Sequence, residues 1–168
     1  MKIIKLLFFI LVTLISCNSV FAQSLGKMKL GCKRSEVTFS LPKGYNICKT
    51  NTNNQLTYTT SKGNEYVSFY FDNNIVYMIM MHKYIGYGRD TNEIKSKLEE
   101  LIMNLYETWG EPTYIGENVY WQYPTAKITF SYNISTGYIA SPSLYEPDIT
   151  TYTCYADIKL EKRRNLFE

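Results

Sequence analysis

Residues 90–112 hold the clearest element of this chain, and it constrains everything around it. Asp90-Thr91-Asn92-Glu93 has the form of a capping box, with Asp90 as N-cap and Glu93 three residues on. Ile94, Leu98, Leu101, Ile102, Leu105 and Trp109 then recur at helical spacing. Gly110 supplies the C-terminal stop and Pro112 prevents continuation. The opposite face, with Glu93, Lys97, Glu100 and Asn104, reads as solvated surface. One apolar stripe has to be buried against something, and the chain on both sides is written in strands.

Before the helix, residues 33–40 form a short helical candidate that Pro42 and Gly44 end. Strand signals follow at 55–60, 66–71 and 75–83. Val67, Phe69 and Phe71 share one face, and Asp72-Asn73-Asn74 makes a tight hairpin because Asn tolerates left-handed dihedrals. The third run, Ile-Val-Tyr-Met-Ile-Met-Met, is apolar on both faces, as in a central strand covered on both sides or one covered by a partner. After the helix, strand character returns at 114–123, 127–133 and 150–160, with a Ser-, Thr-, Gly- and Pro-containing loop at 134–149. Helix, three strands, helix, three strands predicts an α+β fold. Two tandem α-β-β-β units, about 26–85 and 90–160, would share one antiparallel sheet with the helices packed on one face.

Residues 1–22 read as a secretory signal. Lys2 and Lys5 precede an apolar run at 6–15, and Val20-Phe21-Ala22 suits a peptidase. The run is shorter than the roughly 20 residues a spanning helix needs, and no later segment approaches that length. Residues 23–168 then form a single domain, exported to the periplasm or beyond. A rival cleavage exists, because Leu14-Ile15-Ser16-Cys17 matches a lipobox in which Cys17 is lipidated.

Cleavage after Ala22 leaves Cys32, Cys48 and Cys154 in an oxidising compartment. Alternation around Cys154 makes it an inward-facing strand residue and a buried thiol. Cys32 and Cys48 are the candidate pair, and closing residues 32–48 would be worth about 3 kcal/mol in the chain-entropy model. The other reading leaves both as buried thiols.

The chain has 18 Lys and Arg against 15 Asp and Glu, and two of the lysines lie in the leader. A balance this close to neutral argues against nucleic acid as a partner. His82 is the single histidine, so Ser-His-Asp and Cys-His chemistry must use it; it reads as a structural residue at a strand exit, on the face of Val76, Met78 and Met80. No cysteine or histidine spacing of a metal site is present, and no phosphate-binding glycine loop, so no cofactor is expected. Glu146 and Asp148 are close in sequence, but 15 acids always offer some pair for glycan hydrolysis. Among the 16 tyrosines, those on connecting segments are the binding candidates: Tyr84 and Tyr87 with Arg89 before the helix, and Tyr138 and Tyr145 in the late loop.

Gly31 with Ser35-Glu36-Val37, the hairpin Phe71-Asp72-Asn73-Asn74-Ile75-Val76, and the helix end Leu105-Tyr106-Glu107-Thr108-Trp109-Gly110-Glu111-Pro112 resemble the β-lactamase-inhibitor-protein-like arrangement. Small outer-membrane assembly lipoproteins of the SmpA/OmlA type share that plan. The resemblance implies a binding or inhibitory module without catalysis, and it assigns no residue a role. The leading expectation is therefore a non-catalytic envelope or secreted protein that binds a protein or an envelope glycan. The alternatives are a carboxylate-type glycan hydrolase and a structural lipoprotein anchored at Cys17.

Overall fold

The computed structural model describes residues 24–48, 51–116, 118–140 and 148–163. The leader with Cys17, and Tyr145 and Glu146 in the late loop, lie outside the described residues. The chain opens with a small hairpin of β1 (Ser24–Leu25) and β2 (Met28–Lys29), which buries Leu25 and Met28. A 3-10 helix, Arg34–Ser40, follows, and then four strands: β3 (Tyr45–Ile47), β4 (Gln55–Thr60), β5 (Tyr66–Asp72) and β6 (Ile75–Gly88). Helix α1 (Thr91–Trp109) leads to four more: β7 (Tyr114–Ile115), β8 (Val119–Gln122), β9 (Ala126–Ile139) and β10 (Ile149–Lys162).

The eight strands β3 to β10 make one antiparallel sheet in the order β3-β4-β5-β6-β10-β9-β8-β7. Each half is a four-stranded meander that ends in a 14-residue strand, and these two last strands, β6 and β10, zip the halves together. This corrects the α+β expectation. Of the described residues 53% are strand and 20% helical, so the fold is β-rich, not two α-β-β-β units under a layer of helices. The first helical candidate is too short to pay for α-helix nucleation; it tightens to a 3-10 segment that buries only Val37. Each half also holds one strand more than expected. β3 precedes the first set, and residues 114–123 split into the β7–β8 hairpin.

Alternation sorts the sheet into two faces. On one, Leu56, Tyr58, Val67, Phe69, Phe71, Ile79, Ile128, Phe130, Ala156, Ile158 and Leu160 are buried. Ile94, Leu98, Leu105 and Trp109 of α1 are buried in the same core, while Leu101 and Ile102 are half-buried against it. The end of α1 is held to β8: the Trp121 indole donates to Gly110 O at 2.8 Å, and the neighbouring Tyr123 hydroxyl donates to Trp109 O at 2.7 Å. Gly110 takes φ 76°, where a side chain would be strained, and its N–H closes the last turn onto Tyr106 O. At the other end Asp90 caps Asn92 N at 2.8 Å, but Glu93 does not complete the box; its carboxylate accepts from Lys97 at 2.7 Å.

The register of β6 corrects a parity. Tyr70 faces Met78 while Phe71 faces Val76, so Tyr77 is an extra residue in the ladder. Val76 therefore turns into the core, and Met78, Met80 and His82 line the other face. Met78 and Met80 keep this second face partly apolar, but they are half-exposed, so no described element covers the strand on both sides as expected.

Candidate functional site

No described helix packs on that second face. It carries Gln55, Thr57 and Thr59 of β4, Tyr66, Ser68 and Tyr70 of β5, and Met78, Met80 and His82 of β6. Tyr155, Asp157, Lys159 and Glu161 of β10 continue it, followed by Lys127, Thr129 and Ser131 of β9. Nearly all are half-exposed. The face is open, mixed polar and aromatic, and central to the molecule.

At its middle stands an ordered cluster. The pairing places Tyr66 opposite His82, and His82 opposite Asp157. The imidazole is sandwiched between the rings of Tyr66 and Tyr155, with centroids 4.7 and 4.8 Å away and interplanar angles of 14° and 18°. Its Nδ1 donates to Asp157 Oδ1 at 2.8 Å, with the two side chains 22% and 35% exposed. Tyr84, opposite Tyr155, adds an edge-on ring at 5.6 Å. Burial, with Asp157 and Tyr70 adding to it, pushes the Tyr66 phenol above its ordinary range. Lys159 and Glu161 pair at 2.9 Å further along β10. Cross-strand aromatic pairs and a carboxylate-held imidazole fix this cluster without help from a loop.

The residues expected to bind are not assembled into one patch. Tyr84 is half-buried against Tyr155, Tyr87 is exposed opposite Thr153, and Arg89 is exposed just before α1. Tyr138 is 73% exposed, yet it sits in β9, not in a loop, because β9 runs to Ile139 and β10 begins at Ile149. Ser135 faces Thr153, which in turn faces Tyr87, so alternation puts Tyr138 on the opposite face from Tyr87. Asp148 is exposed at the start of β10. Tyr66, Tyr155 and Asp157 were missed. Their signal was the polar side of two alternating runs, Tyr66-x-Ser68-x-Tyr70 and Thr153-x-Tyr155-x-Asp157, but only the register unites them around His82.

The three described cysteines, Cys32, Cys48 and Cys154, are free thiols, so Cys32 and Cys48 are not bridged. Cys32 Sγ donates to Lys29 O at 3.2 Å, and burial, with Glu36 second, pushes its pKa up. Cys154 is fully buried, and burial raises its pKa too.

Two concavities are present among the described residues, and the first borders the stack through Tyr84. A cleft of about 190 Å³ between α1 and β6, lined by Lys83, Tyr84, Lys97 and Glu100, is smaller than ordinary small-molecule sites. A groove of about 420 Å³ between Leu30, Ile75, Tyr77 and Lys162 is mainly apolar. Among the described residues no group of three or more His, Cys, Asp or Glu could hold a metal, and no helix is long and apolar enough to cross a membrane. Compared with models of protein families, with curated proteins and with solved structures, the chain matches none. No relative therefore speaks for or against the inhibitor-like resemblance.

Proposed function

We propose that this is an exported, non-catalytic binding module that takes its partner on the open face of the sheet. The supporting observation is the Tyr66–His82–Tyr155 stack clamped by Asp157 at the centre of that face. Half-buried, rigid aromatic groups that no described element covers are the kind of surface that anchors a partner at low entropic cost. The rings turn their faces toward one another, so they are poorly placed to stack on a sugar. This favours a protein surface over an envelope glycan as the partner. The hydrolase alternative gains nothing from this face: Asp157 holds His82 and Glu161 holds Lys159, and four residues along a strand separate the two acids by about 13 Å. Anchoring through a lipidated Cys17 is compatible with the same binding face.

The test is capture of envelope proteins by the immobilised protein and two variants. Tyr66→Ser with Tyr155→Ser should abolish capture, whereas Tyr87→Ala with Tyr138→Ala should leave it intact. The reverse pattern would return the binding site to the connecting segments.

A further inference from the structure

The long strands β9 and β10 leave part of the sheet uncovered at its edge. β8 pairs with β9 only from Lys127 to Phe130, while β10 pairs with β9 as far as Ile139. From 131 to 139, the outer edge of β9 has no strand partner among the described residues. The true ends of the sheet are blunted by shortness, with three residues in β3 and two in β7. The β9 edge has no charge, proline or strand partner among the described residues to protect it. Ser131-Tyr132-Asn133-Ile134-Ser135-Thr136-Gly137-Tyr138-Ile139 holds no charge and no proline, and Tyr132, Tyr138 and Ile139 are exposed on it.

We propose that this edge pairs with the same edge of a second copy, β9 against β9 in antiparallel register about a two-fold axis at Ser135. Ser135 is the midpoint of the stretch between the last β8 pair, at Phe130, and the end of β9. About the same residue the stretch sets its two tyrosines at equal distances and carries no charge on either side. Tyr132 of each copy falls opposite Tyr138 of the other, Ile134 opposite Thr136, and Asn133 opposite Gly137. An isologous contact sets like residues near like, and here no charges oppose one another. Two cross-strand tyrosine pairs, on the face α1 covers elsewhere, add to the backbone hydrogen bonds. The surface is distinct from the open face and does not depend on what binds there.

Sedimentation equilibrium of the purified protein decides it. The wild type should dimerise reversibly, and Ser135→Lys, which sets two lysines across the axis, should weaken the dimer at least about tenfold. Tyr132→Lys should weaken it similarly, and adding Tyr138→Glu should restore it, because each introduced lysine then faces an introduced glutamate. Circular dichroism confirms that each variant is folded; if Ser135→Lys is not, the Tyr132 and Tyr138 variants decide alone. A wild type that stays monomeric to about 1 mM overturns the proposal. So does a dimer indifferent to these lysines, or a double variant that stays monomeric.

Discussion

His82 shows how a lone residue acquires meaning from its neighbours. In the sequence it is one imidazole at a strand exit; in the fold two tyrosine rings and a carboxylate enclose it. The same crowding makes Tyr66 the residue through which pH should act. Its phenol is raised above its ordinary value by burial first and by Asp157 and Tyr70 next. A raised folded value means that the native state holds the proton more tightly than the unfolded chain does. The stability this contributes is complete below the unfolded phenol value of about 10 and is lost as pH rises through the higher folded value. Burial also raises Tyr45, aided by Glu65, and Tyr123, so the loss should be shared. The raised Cys32 and Cys154 thiols lose their share first, so denaturant unfolding at several pH values between about 9 and 11 should show stability falling throughout, with a shallower fall in Tyr66→Phe. An identical fall in that variant would mean that Tyr66 is not perturbed.

At the scale of elements, α1 is the simplest to test. Leu105 is 7% exposed, whereas Leu101 is only half-buried at the margin of the same stripe. Leu105→Ala should cost about 2–5 kcal/mol in denaturant unfolding, as large-to-small core changes do, and Leu101→Ala distinctly less. Equal costs would mean that the helix is rotated from the orientation described. This helix was legible because cap, stripe and glycine stop are local signals. The Asn73–Asn74 turn was legible for the same reason, and both residues do take positive φ. The 3-10 segment was not, because seven residues around Val37 carry no signal that separates a 3-10 turn from an α-helix. β6 was legible as a strand but not in facing, since the extra residue at Tyr77 resets the parity of everything before it. The late loop misled for a different reason. Ser, Thr and Gly suggest a connection, yet 134–139 pair residue for residue with 149–154.

For the molecule as a whole, strand order is what sequence patterning could not supply. Two meanders joined through their last strands bring β6 and β10 together, and that pairing alone puts Asp157 and Tyr155 beside His82. One face is closed by α1 and the N-terminal segment, which leaves the stack at the middle of the other. The central claim is that this open face is where a partner sits. Because His82 is the sole histidine, untagged protein gives a single imidazole Cε1–H signal in proton NMR, a reporter built into the middle of that face. Ring currents of Tyr66 and Tyr155 should shift it upfield in the free protein, and addition of a captured partner should move or broaden it. A signal that stays at its free-protein position while the complex forms would contradict the account.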